Sequence, residues 1–74
     1  MIYKNMKMLM VKHDLTQENL ARMLGISKST LNLKLNDKRD FHKPEIDRII
    51  KILDGTYEFI FQIDGDNFSK GKKK

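Results

Sequence analysis

Between residues 28 and 36 the chain reads Lys-Ser-Thr-Leu-Asn-Leu-Lys-Leu-Asn. On a helix that turns about 100° per residue, Leu31 and Leu35 share one face, and Lys28, Ser29, Asn32 and Leu33 lie on the outer side. These four side chains supply an ammonium, a hydroxyl, a carboxamide and a branched apolar end. That is a set for reading hydrogen-bonding edges. The ammonium only donates, the hydroxyl and the carboxamide both donate and accept, and Leu33 offers a surface for a methyl group.

Chemistry that makes or breaks bonds has no comparable support. His13 and His42 are the only histidines, there is no cysteine, and neither a His-Glu-x-x-His pattern nor a glycine-rich phosphate loop is present. Asp47, Asp54 and Glu58 cluster near an expected helix end, where solvation accounts for them. The expectation is a protein that is not an enzyme, with no metal, no cofactor and no small-molecule ligand.

The chain has 74 residues, a net charge of +5 and a pI of about 9.6. That length makes one domain, whose core supplies only about 3–5 kcal/mol net without outside help. Without cysteine it has no disulfide staple of the kind small secreted domains carry, so a cytoplasmic setting is expected. No run approaches the roughly 20 apolar residues needed to span a membrane, and the opening residues lack a signal peptide's apolar stretch. The size leaves no room for a separate effector or cleavage domain, so self-proteolysis within this chain is not expected. Residues 1–43 carry a balance of +5, residues 44–69 a balance of −4, and the terminal lysines add +4. This asymmetry suggests one basic face turned towards a polyanion.

The elements that must hold residues 28–36 in place can be read from spacing. Ile2, Met6, Leu9 and Met10 form a helical stripe, widened by Met8 and Val11. Thr16 is a good N-cap for a second helix from Gln17 to Leu24, with Leu20, Ala21 and Leu24 inward and Glu18 in the first turn. A full capping box would need Glu or Gln where Asn19 stands. Gly25 ends that helix, Ile26 drops into the core, and Ser27 caps a third helix from about Lys28 to Asn36. A polar turn follows, with Phe41 as a core anchor. Pro44 fits the first turn of a fourth helix carrying Ile46, Ile49, Ile50 and Leu53 inward, which Asp54-Gly55 ends. Residues 57–63 fit either a strand, through alternation of Tyr57, Phe59, Phe61 and Ile63, or a short helix capped by Thr56; the helix is preferred.

Two short helices joined at Gly25 make a helix-turn-helix. In that arrangement the first helix braces across the DNA backbone and the second presents its N-terminal residues to the major groove. The stretch "LTQENLARMLGISKSTLNLKLNDKRDF" resembles the Cro/CI-type (Xre-like) helix-turn-helix family of phage and bacterial repressors. The resemblance rests on Thr16-Gln17, Leu20-Ala21, Leu24-Gly25-Ile26-Ser27, Leu31, Leu35-Asn36 and Phe41, and runs through residues 2–61. It implies an all-α, lambda-repressor-like bundle of four to five helices. The helix-turn-helix domain would span residues 1–63, with its core at 16–36 and a basic, disordered tail at 64–74. It implies a transcriptional regulator in the bacterial cytoplasm or nucleoid. Such a regulator binds palindromic double-stranded operator DNA, commonly as a homodimer. Family members often carry Glu at position 19, Gly at position 37 and a polar or basic residue at position 33; here these are Asn19, Asp37 and Leu33.

Given the motif, Lys28, Ser29, Asn32 and Leu33 are expected to contact bases. Lys28 can donate to guanine, Asn32 can pair with adenine, and Leu33 can meet a thymine methyl. The family places a phosphate contact at Gln17, and the segment after the third helix adds Asn36, Lys38 and Arg39. Thr30 either reaches a phosphate or lies against the second helix. Lys34 and Lys43 are expected to add only long-range attraction. The dimer surface is expected at Tyr57, Phe59 and Phe61. An alternative use of that aromatic segment is to hold a different protein, as an antitoxin-like module does.

Overall fold

The computed structural model describes residues 2–63. It contains helices α1 (Lys4–Lys12), α2 (Gln17–Leu24), α3 (Lys28–Leu35), α4 (Lys43–Leu53) and α5 (Tyr57–Ile60), and no strand among the described residues. The strand alternative for residues 57–63 therefore falls. The helix there is shorter than that range: Thr56 Oγ1 accepts the Phe59 N–H at 3.1 Å, and Phe61 is already the C-cap. The basic tail expected at 64–74 lies outside the described residues.

Each helix sends its apolar stripe into one core. Met6 and Met10 meet Leu20, Ala21, Leu31, Leu35, Ile49, Leu53 and Ile60, all buried. Ile26 and Phe41 pack against this cluster at its edge, half-buried. Met8 and Val11 do not widen the α1 stripe, since they are 54% and 72% exposed. Met8 stands two residues from Met6, which on a helix turns it to the far side. Aromatic rings close the end of the bundle. Phe61 lies 5.5 Å from Tyr3 and 5.4 Å from Phe41, both edge-on, and stacks on Tyr57 at 5.1 Å. Burial, reinforced by the nearby Asp37, Tyr57 and Asp40, pushes the Tyr3 phenol above its ordinary pKa. Asn5 pins α5 to α1 by donating to the Phe59 carbonyl at 2.9 Å.

The turns share one device. After α2, the Ile26 N–H reaches back to the Ala21 carbonyl and the Gly25 N–H to Arg22, with Gly25 at φ 74°. This paired closure needs a left-handed residue, and glycine takes that conformation without a Cβ clash. The same pairing closes α1 through Asp14 and α3 through Asp37, where Lys38 N–H reaches Leu33 O at 2.8 Å and Asp37 N–H reaches Lys34 O at 3.3 Å. Asp14, Asp37 and Asp54 all sit at φ between 56° and 61°. Aspartate tolerates this region better than most residues but still bears a cost there. Asp37→Gly should therefore stabilise the domain, by about 0.5–1 kcal/mol after the extra chain entropy of glycine. A rise in urea midpoint at unchanged slope is the expected reading. A fall would show that the Asp37 carboxylate contributes more than the backbone strain costs.

Candidate nucleic-acid interface

The inward side of α3 is fixed by three residues, and this fixes what the outward side can present. Leu31 and Leu35 are fully buried, and Lys34 is 2% exposed. The Lys34 ammonium donates to both Glu45 oxygens, at 2.6 and 2.8 Å. Glu45 also accepts the His42 backbone N–H at 2.9 Å, which ties the end of α3 to the start of α4. Burial alone would push the Glu45 carboxyl up. The His42 N–H, the Lys34 hydrogen bond and the charges of Lys34 and His42 outweigh it and hold the group below its ordinary pKa. The expectation that Lys34 only attracts at long range is corrected by this pair. Position 34 is three residues from Leu31, so the spacing does place it on the inward stripe, but nothing local points to its partner in α4. Lys43 lies 3.6 Å from Asp47 in an exposed pair.

The joint between α2 and α3 is held at several points. Ala21 is buried where the helices meet. Ser27 Oγ accepts the Thr30 N–H at 3.1 Å and donates to Thr30 Oγ1 at 2.9 Å, so half-buried Thr30 serves the cap of its own helix. Arg48 of α4 donates to the Met23 carbonyl at 3.2 Å and satisfies part of the α2 end. The Ile2 N–H does the same for the Leu35 carbonyl at 3.1 Å. At the other end of α2, Thr16 Oγ1 accepts the Asn19 N–H at 3.1 Å. The Asn19 side chain returns no bond to the Thr16 backbone; it accepts the Thr16 hydroxyl at 2.9 Å.

With the inner face locked, Lys28, Ser29, Asn32 and Leu33 are all exposed and together line one shallow open depression. Leu33 is 40% exposed, an apolar group on an otherwise polar surface. Gln17 is the first residue of α2 and is half-buried beside Lys7, Met10, Val11 and Leu15. Lys38 and Arg39 are exposed in the turn after α3. Asn36 is half-buried, and its amide is engaged within the chain: Nδ2 donates to the Asn32 carbonyl at 2.8 Å and lies 3.4 Å from Asn32 Oδ1. Sequence reasoning did not find that link, although Asn at i and i+4 on a helix are neighbours. Tyr57 is 52% exposed and Phe59 40%, while Phe61 is half-buried in the aromatic cluster.

A short capped helix, a left-handed glycine corner and a second helix with a locked inner face form a helix-turn-helix. The family model for the Cro/C1-type HTH DNA-binding domain matches residues 5–58. The chain belongs to this family. No curated protein matches it. This Cro/C1-type domain is thus a DNA-binding domain of the transcription-regulator kind, and the match runs from the second residue of α1 through the whole of α2, α3 and α4. No helix among the described residues is long and apolar enough to cross a membrane.

Proposed function

We propose that this Cro/C1-type domain is a phage-type or bacterial repressor that reads the major groove of an operator with α3. One observation carries the reading. The four outward residues Lys28, Ser29, Asn32 and Leu33 share one open surface, while the Lys34–Glu45 pair and two leucines fix the opposite face. Base edges are read by a rigidly held donor and acceptor set, because a slack one would average over several registers. Lys28 and Asn32 donate to purine edges, Ser29 donates or accepts, and Leu33 meets a thymine methyl.

Phosphates flank this surface. Gln17 approaches from the start of α2, and Lys38 and Arg39 from the turn after α3, with Asn36 at the border between the two sets. Each phosphate neutralised by a base steepens the log–log salt dependence by about 0.9. A lone domain makes few such contacts. Two copies on a palindrome would double them, with half-sites about 34 Å apart. Exposed Tyr57, stacked on Phe61, and exposed Phe59 supply the apolar edge for that homodimer. The same edge supports a second reading, an antitoxin-like module that holds another protein. Sedimentation separates them: a dimer at micromolar concentration favours the repressor, and a stable monomer favours the heterologous partner.

Selection of bound sites from random duplexes tests the central reading, and two substitutions sharpen it. Asn32→Ala should cost about 1–3 kcal/mol at one base position and flatten preference there. Lys38→Ala should weaken binding to all sequences alike and lower the salt slope by about 1. A selection that recovers no consensus, or an unchanged preference in Asn32→Ala, would remove α3 from the recognition role.

A further inference from the structure

We propose that Asn36 is a positioning residue: it fixes the carboxamide of Asn32 and so sets which base that side chain prefers. The inference rests on the reading of α3 as the base-reading helix. Its basis is the chemistry of one contact. Asn36 Nδ2 lies 2.8 Å from the Asn32 backbone oxygen. A carbonyl can only accept, so the atom facing it must be the amide nitrogen and not its oxygen. That same nitrogen is 3.4 Å from the Asn32 side chain, and a donor must face an acceptor there too. Asn32 therefore turns Oδ1 towards Asn36 and its −NH2 away. An amide alone on a helix surface can turn over and offer its two ends in either order. Asn36 selects one order.

This assignment changes what Asn36 contributes to DNA binding. Its backbone N–H already reaches the Asn32 and Leu33 carbonyls, at 3.2 and 3.3 Å. Its side-chain nitrogen has two N–H donors, and both have acceptors on Asn32, the backbone oxygen at 2.8 Å and Oδ1 at 3.4 Å. The remaining side-chain atom, Oδ1, is an acceptor, and a phosphate oxygen offers it nothing. Asn36 thus acts through Asn32, while Lys38 and Arg39 act on the backbone.

The test compares Asn32→Ala, Asn36→Ala and the double variant on duplexes carrying each of the four base pairs at every operator position. Asn36→Ala should lose discrimination of roughly tenfold at the single position that Asn32→Ala also flattens. Affinity for non-specific DNA and the salt slope should not change. The double variant should lose no more discrimination than Asn32→Ala alone, because both substitutions remove one unit. Asn36→Ser keeps a hydroxyl able to reach the Asn32 carbonyl and lacks the reach to Oδ1. It preserves the helix end and should show the same loss at that one position, even if Asn36→Ala does not fold. Uniform weakening on all sequences, unchanged preference, or additive losses would overturn the positioning role while leaving α3 as reader. No effect of Asn32→Ala on preference would instead overturn the reading of α3, and this inference with it.

Discussion

Lys34→Ala is expected to leave much of the protein unfolded at room temperature. The substitution strands the Glu45 carboxylate, whose side chain is only 12% exposed, without its partner. Breaking a buried pair from one side costs about 3–5 kcal/mol, and a domain of this size has about 3–5 kcal/mol in total. Urea unfolding followed by circular dichroism should show a midpoint near zero. Lys34→Met with Glu45→Leu should recover much of the loss, since exchanging a buried pair for apolar side chains is often neutral. It will not recover all of it, because Glu45 also accepts the His42 N–H. The same group makes stability depend on acid. Its folded pKa lies below the ordinary value of 4.5, so its contribution is fully present above that value. It is lost as pH falls through the lower folded pKa. The gap in midpoint between the unsubstituted chain and Glu45→Gln should therefore narrow in acid. A gap that stays constant from pH 7 down to pH 3 would mean that Glu45 gains nothing from its partners.

The reason this pair was not legible in advance is specific. Periodicity identifies a helix by its apolar residues, and α3 places a charged residue on its inner face and Leu33 on its outer face. The asymmetry that marks an amphipathic helix is then weak, and the identity of Lys34 argues for solvent. Its partner lies in another element, eleven residues on, and local spacing cannot show that pairing. By contrast, the α2 boundaries follow from local signals. Thr16 caps its start, Gly25 takes the left-handed position at its end, and the observed helix is Gln17–Leu24. The end of α4 was legible only in part. Asp54-Gly55 was expected to end it, with neither of the two singled out for the turn, and it is Asp54 that takes the left-handed conformation. Gly55 has a different use: a Cβ there would stand 3.1 Å from the Ile60 side chain, at the close approach of α5. The outward set on α3 could be named from a 3.6-residue period alone. How Asn36 engages Asn32 could not, because two amides at that spacing can meet in several ways or face water.

Leu31→Ala and Leu33→Ala make the sharpest separation between holding α3 and reading with it. The two leucines are two residues apart and lose the same atoms on truncation. Leu31 is fully buried, and Leu33 is 40% exposed. Leu31→Ala should cost about 2–5 kcal/mol, the lost burial plus the cavity left behind. Part of that cost falls on the joint itself, since Leu31 is one of the contacts that set the angle of α3 against the core. Enough folded protein for binding measurements would survive only if the cost is at the low end, or with a stabilising change such as Asp37→Gly alongside. What survives should discriminate less among all operator positions read by α3, because the whole helix is loosened. Leu33→Ala should change stability by no more than about 0.5 kcal/mol. Its loss should fall on a single position, as reduced preference for thymine over cytosine, which lacks the methyl group. Equilibrium unfolding and base-by-base binding on the same pair of proteins measure both effects. If Leu33→Ala destabilised the fold as much as Leu31→Ala, Leu33 would belong to a buried edge and the outward face of α3 would have to be redrawn around Lys28, Ser29 and Asn32. If it left thymine preference intact at every position, the apolar group on this face would serve something other than base reading, and a protein partner would become its best explanation.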